Sequence, residues 1–408
     1  MPTTTEPRIS ENGRDGRRLA GASPSPGIQA LRELAASFAF DQIDRRAAAG
    51  MNAVWGGSTW EAPLIYACDT VPIAMSELWR EGSREAEAAG ERELQIPSEF
   101  CSMIKVVAGR LHLRTSRNIR RIIHFGGGCE PMGLAVEMMK REGYDVHCIE
   151  GVHAFHQSDK RPETIHILVH EFERVARWLT GKGVDQDRLG EELRKKNVLL
   201  SKLRRILELR KTNPLYLTAV PTVQLLNGSS HCYGNPGEYL RVLDLLIGEL
   251  EGELAMARLP PAGRYIPLVL AGGAVSPSIL HVIEESKGAI LGWILVGTVD
   301  YREDLPPLES LAHYLLDAQA RGELGEGAGS SATFRRYRIE ALVRETGAKG
   351  VISTAVTGCP YASIVQQMER THFKNLGVAF IGLETNVHKE RPSEEQIMRV
   401  RTFMEMIN

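Results

Sequence analysis

Six cysteines punctuate the chain, at 68, 101, 129, 148, 232 and 359, and three of them stand where a thiolate could ligate or react. Cys129 follows three glycines in FGGGCEPMG, between the apolar run RIIHF and the helically spaced MGLAVEMMKREG. A strand-to-helix turn of that kind leaves a thiol little screened by its neighbours. Cys359 lies in TGCPYA, after the strand-like GVISTAV and again beside glycine and proline. Cys101, in PSEFCSMIK, falls in the first turn of a helical stretch that Ser98 could cap. A helix N-terminus favours thiolate over thiol through its free N–H groups and dipole. Three such thiolates meeting in one cleft would suit a metal or a metal cluster. The competing reading is packing, because free cysteine is among the most buried residue types.

The other cysteines offer less. Cys68 and Cys148 sit inside apolar, strand-like runs, where packing is the better reading. Cys232 stands beside His231 in SSHCYGNPG, but residues adjacent in sequence usually point apart. No C-x-x-C pair occurs, so zinc ribbons, thioredoxin-type redox sites and ferredoxin runs are unsupported. Neither FGGGCEP nor AGGAVSP is G-x-G-x-x-G, and no G-x-x-x-x-G-K-[ST], H-E-x-x-H or G-x-S-x-G occurs. Any metal site must therefore be assembled from distant parts of the chain.

The elements that must position these thiols alternate. Strand-like RIIHF, GVISTAV and GVAFIGL, with YDVHCI, YIPLVL and AILGWILVG, are interleaved with helical spacing, a βαβ pattern that predicts parallel sheets. Ligands gather outside the carboxyl ends of such strands, so two sheets facing one another would aim Cys129 and Cys359 at one cleft. LIYAC reads as a strand and VPIAMSELWREG as a helix, with AEAAGERELQ a polar loop or helix end. Four segments follow: a mobile tail over 1–27, a first α/β domain over 28–158, a helical segment over 159–258 attached to it, and a second α/β domain over 259–408. The span Arg188–Lys211 is rich in Lys and Arg, either as a solvated face or as a docking surface for a phosphate-bearing ligand or partner.

The 408 residues carry 43% hydrophobic and 25% charged side chains and a net charge of −2, ordinary for a globular protein. That balance argues against nucleic-acid binding, which needs a clustered basic excess. No run reaches the roughly 18–20 apolar residues of a membrane span, and no signal-peptide core opens the chain, so a cytoplasmic protein with reduced thiols is expected.

STWEAPLIYACDTVPI, PSEFCSMIK, the strand-then-Cys turn FGGGCEP, and TGCPYA followed by GVAFIGLETN together resemble the catalytic subunits of the 2-hydroxyacyl-CoA dehydratase and benzoyl-CoA reductase family. The resemblance runs from about Ala48 to the C-terminus, with Asn386 where Asp is usual. It implies two flavodoxin-like α/β domains with added helices and a [4Fe–4S] cluster between them, held by Cys101, Cys129 and Cys359, with Gly127 and Gly128 letting the backbone come close. It also implies an acyl-CoA substrate. One low-potential electron converts the thioester to a ketyl radical anion, the neighbouring hydroxyl leaves, a proton is lost and the electron returns. A separate ATP-hydrolysing iron–sulfur activator supplies that electron, and the subunit pairs with a related subunit or a copy of itself. Ser58 and Glu61, in GGSTWEAP, are the candidates for hydroxyl departure or proton movement, or they simply cap the next segment. His124 and His231 are weaker candidates. An aryl-CoA reductase subunit and a non-catalytic electron relay are the alternatives within the family, and a cluster-free α/β binding protein is the alternative outside it.

Overall fold

A computed structural model describes residues 25–56, 60–79, 83–114, 116–126, 129–150, 160–256, 264–273, 275–294, 297–324, 331–387 and 392–408. Two helices open it, α1 (Pro26–Ala36) and α2 (Phe40–Ala48). The first sheet is built from β1 (Ala53–Trp55), α3 (Ala62–Ala67), β2 (Val71–Ile73), a 3₁₀ turn over Met75–Trp79, α4 (Ser83–Arg92), α5 (Ser102–His112), β3 (Arg121–Phe125), α6 (Glu130–Arg141) and β4 (Asp145–Ile149). Four long helices follow: α7 (Arg161–Thr180), α8 (Gln186–Thr212), α9 (Ala219–His231) and α10 (Pro236–Ala255). The second sheet uses β5 (Ile266–Ala271), α11 (Pro277–Glu285), β6 (Gly288–Trp293), α12 (Pro307–Ala320), α13 (Ala332–Thr346), β7 (Gly350–Val356), α14 (Pro360–Asn375), β8 (Ala379–Thr385) and α15 (Glu394–Ile407).

Both sheets are parallel and four-stranded, ordered β2-β1-β3-β4 and β6-β5-β7-β8. The chain leaves the first strand of each sheet toward one side and later returns to its other side, which creates a switch point between β1 and β3 and again between β5 and β7. Parallel strands covered on both faces read as continuous apolar runs. GAILGW of β6 is buried at every position. Helix starts follow local rules. Ser276, Ser331 and Asp185 each accept the N–H three residues on, and Ser393 with Gln396 forms a capping box before α15.

Several expectations are corrected. LIYAC is the helix α3, not a strand: Pro63 opens it, and a short apolar run carries no period that separates helix from strand. Cys68 therefore caps the end of a helix, buried, its thiol pushed up to about 12 by burial. The following VPI is a strand, β2; it tolerates Pro72 because it is an edge strand. AEAAGERELQ lies largely within α4. The helix expected over Ile28–Ala49 is two helices, and α9 and α12 were not anticipated.

The basic span is neither a bare solvated face nor an open dock. Along α8, Arg188 pairs with Asp69, Lys195 with Glu192, Lys202 with Asp244, Arg204 with Asp300, Arg205 with Glu251 and Lys211 with Glu208. Two of its cations, Lys196 and Arg210, are buried. α12, which lies between β6 and β7 in sequence, packs against α7 and α8, and its apolar face belongs to the same core as the first sheet.

Candidate functional site

All three singled-out cysteines are the residues immediately before a helix. Cys101 is the N-cap of α5, Cys129 of α6 and Cys359 of α14, so Ser98 does not cap the helix that carries Cys101. The α5 start is held by a buried lysine. Lys105 Nζ donates to the Ser98 carbonyl at 2.6 Å and pairs with Glu91 at 2.7 Å and Glu87 at 3.1 Å. The turn after β7 is then locked onto that start. Ser102 N–H donates to the Thr357 carbonyl at 3.0 Å, and Thr357 N–H to the Thr385 carbonyl at 3.1 Å. Gly358, at φ +76°, has no room for a side chain: a Cβ there would lie 2.5 Å from the Phe100 carbonyl oxygen.

This lock brings the Cys101 and Cys359 thiols together. They are hydrogen-bonded to one another, and that bond, followed by burial, pushes the Cys101 thiol well above its ordinary range; the backbone N–H groups of Ile104 and Met103 oppose the shift. Cys359 Sγ also accepts the Ala362 N–H at 3.4 Å, as a capping sulfur. Cys129 is half-buried and packs against the same apolar cluster as Cys359 and Phe100. Among the described residues no three His, Cys, Asp or Glu side chains form a group that could hold a metal ion. The paired sulfur donors are nevertheless of a type that binds soft metal ions. Metal binding to thiols releases their protons, and two hydrogen-bonded thiols offer two such sulfur donors side by side. Gly127 and Gly128 lie outside the described residues.

Glu61 is buried at the start of α3 without capping it through its side chain. Its charge acts on two buried groups, the Lys196 ammonium and the Tyr301 phenol. Tyr301 Oη donates to the Trp60 carbonyl at 3.1 Å, which fixes the residue before Glu61. Lys196 donates to the Ser229 carbonyl, and burial pulls its ammonium down to about 8 against the support of Cys232 and Glu61. Sequence reasoning missed Lys196, yet it carried a signal. Lys196 occupies the apolar stripe of α8 between Leu193 and Leu200, where the helical period demands a hydrophobic residue. Ser58 lies outside the described residues.

The His231–Cys232 pair serves the backbone. His231 is fully buried, its Nδ1 accepts the Tyr233 N–H at 3.0 Å, and its Nε2 faces Glu77 Oε1 at 3.2 Å. That acceptor role leaves the ring proton on Nε2, directed at the carboxylate. Cys232, Tyr233 and Gly234 are all left-handed, at φ 49°, 50° and 67°, a conformation costing non-glycine residues roughly 1–2 kcal/mol each. The imidazole, with Tyr233 Oη on the Gln224 carbonyl at 2.6 Å, holds the turn in place. His124 is partly buried, which lowers its pKa. A cavity of about 870 Å³ lies between α7, α12 and the start of α8 and contains none of the residues singled out from sequence.

The family model for the 2-hydroxyglutaryl-CoA dehydratase D-component matches residues 60–407. The chain belongs to that family. No curated protein matches it in sequence. The matched span covers the elements that form the thiol pair, from α5 to the β7–α14 turn, and the positions of Glu61 and Lys196. No helix among the described residues is long and apolar enough to cross a membrane.

Proposed function

We propose that the chain is the cluster-bearing catalytic subunit of a 2-hydroxyacyl-CoA dehydratase, its two sheets forming flavodoxin-like domains that close on a [4Fe–4S] cluster held by Cys101, Cys129 and Cys359. The observation that carries this reading is the Cys101–Cys359 thiol pair, closed by residues from both halves of a chain of the D-component family. When bound, the cluster supplies low-potential one-electron chemistry to an acyl-CoA thioester. The chain's own residues do the rest. Cys101, buried at the start of α5, keeps bulk water from that side of the site. The switch points at β1/β3 and β5/β7 support a substrate site at the carboxyl edges of the sheets. Glu61, buried and countered by Lys196, holds or moves a proton at the substrate carbon or the departing hydroxyl. A related subunit or second copy and an ATP-dependent iron–sulfur activator complete the system, in keeping with the absence of a phosphate-binding glycine loop.

Iron and acid-labile sulfide per chain after anaerobic purification test this. We expect about four of each in the wild type, as a [4Fe–4S] cluster requires, and loss of both in Cys101→Ser, Cys129→Ser and Cys359→Ser. Dehydration of a 2-hydroxyacyl-CoA, set against reduction of an aryl-CoA with activator present, then decides the reaction. An iron-free, folded wild type after reconstitution sinks the reading.

A further inference from the structure

Three arginines meet at the amino edge of the first sheet, away from the cysteines. The stretch between α5 and β3, residues 113–120, reads LRTSRNIR. Arg114, Arg117 and Arg120 of that stretch, with His112 and Leu113, line a cavity of about 550 Å³, a volume usual for small-molecule sites. Cys101 stands at the other end of α5, whose 11 residues span roughly 16 Å. Cys129 likewise follows the other end of β3. The cavity is therefore separate from the thiol site.

The arginines are held in place with their charges uncancelled. Arg120 is half-buried. Its guanidinium lies over the Tyr144 ring at 4.5 Å and donates to the Glu142 and Gly143 carbonyls at 3.2 Å each, neutral partners that orient it. Tyr144 is fixed in turn by its Oη, which donates to the Leu111 carbonyl at 2.7 Å. The charges of Arg120 and Arg114 both act on the Tyr144 phenol, so the two cations stand near one ring. Arg114 adopts φ +52°, in the left-handed region that glycine or asparagine fills more easily. Neither Arg114 nor Arg117 forms an ion pair among the described residues, unlike the six paired cations of α8. The neighbouring carboxylates are engaged elsewhere. Asp44 of α2 accepts from Ser116 Oγ at 2.8 Å, from the Asn118 N–H and Nδ2 at 2.9 Å each, and from the Arg117 N–H, which ties down the loop's backbone. Glu93 and Glu142 face the two ring nitrogens of His112 at 3.0 Å and 3.2 Å.

A guanidinium is a planar fork that matches phosphate oxygens in pairs. Three around one cavity call for a ligand with several negative charges and many acceptor oxygens. We propose that this cavity binds a diphosphate group, free or carried on a nucleoside. The C-terminal end of α5 disfavours an anion, so the arginines rather than the helix must carry the binding.

The test is calorimetric titration of the full chain, with any subunit that copurifies, using pyrophosphate, ADP, inorganic phosphate and sulfate. We expect pyrophosphate to bind about tenfold tighter than sulfate. Arg114→Asn, which keeps the left-handed backbone, and Arg117→Gln should each weaken it about tenfold, as loss of one charge-assisted hydrogen bond does. Arg205→Gln, on α8, should change nothing. ADP binding as tight as that of pyrophosphate assigns the site to a nucleoside diphosphate, and weaker ADP binding to the free anion. Inorganic phosphate or sulfate bound as tightly as pyrophosphate reduces the cavity to a general anion patch and overturns the proposal. So does a wild type that binds no pyrophosphate, or equal binding by the wild type and both arginine variants. Wild-type affinity that does not fall with added salt overturns it without recourse to any variant. The iron content of both variants should match the wild type, which keeps failure of this site distinct from failure of the cluster reading.

Discussion

Lys196 concentrates the cost of burying a charge into one side chain. It is fully buried, its ammonium pulled down to about 8 from an ordinary value near 10.5, and the groups that act on it are Cys232 and Glu61. Below pH 8 both folded and unfolded chains carry the proton, and the folded state bears the whole penalty. Between pH 8 and 10.5 the folded chain releases the proton while the unfolded chain keeps it, so this group makes stability rise with pH. The rise is at most about 3 kcal/mol. The difference in urea-unfolding free energy between wild type and Lys196→Met, followed from pH 7 to 10.5, isolates that contribution from the tyrosines and cysteines that titrate nearby. We expect the wild type to gain on the variant as pH rises; a flat difference means that Lys196 keeps its proton. Cys232, beside it, needs no chemistry to explain it, since burial pushes its thiol up to about 11 and its left-handed backbone is clamped by His231.

At the scale of elements, the thiol pair depends on a glycine more than on either cysteine. Gly358→Ala would place a methyl carbon 2.5 Å from the Phe100 carbonyl, at a φ of +76° that L-residues avoid. We expect the β7–α14 turn to withdraw from the α5 start, with a loss of roughly 2 kcal/mol in stability and of most iron binding, read by chemical denaturation and iron content. Undiminished iron would mean that the pair is not the ligand-bearing contact. The sequence made much of this legible. GVISTAV and RIIHF read as strands from their apolar runs and are strands, and the sequence places Cys129 at its strand-to-helix turn, whereas for Cys359 it shows the strand before it but begins the helix after it at Ile364 rather than Pro360. What stayed hidden had a physical cause. LIYAC and VPI are too short to show a period, and their helix and strand states are decided by Pro63 and by an edge position in a sheet. The Cys101–Cys359 contact rests on the Ser102–Thr357 backbone bond, which no side-chain pattern encodes.

The whole molecule repeats one strand order twice, and the second sheet has apolar clusters of its own, but the division of the cores does not follow the sequence. Val299, Tyr301 and the apolar face of α12 leave the second sheet's stretch of sequence and pack into the core of the first, where Tyr301 stacks on Tyr314 at 4.0 Å and reaches the Trp60 carbonyl. Unfolding the second stretch of sequence therefore removes part of the first sheet's core. We expect a single urea transition, with far-ultraviolet circular dichroism and tryptophan fluorescence coinciding; two separated transitions would show that the halves are energetically independent.

The Ser102–Thr357 bond also has a consequence in time. Cys101 leaves the ribosome early and Cys359 near the end, so at ordinary elongation rates the first thiol waits on the order of ten to fifty seconds for the second. During that interval the nascent chain presents a lone sulfur at the start of α5, open to whatever oxidant or stray metal it meets. Whatever the pair is built to hold is thus delivered to a finished chain, and its protection before then must come from the cell rather than from the fold.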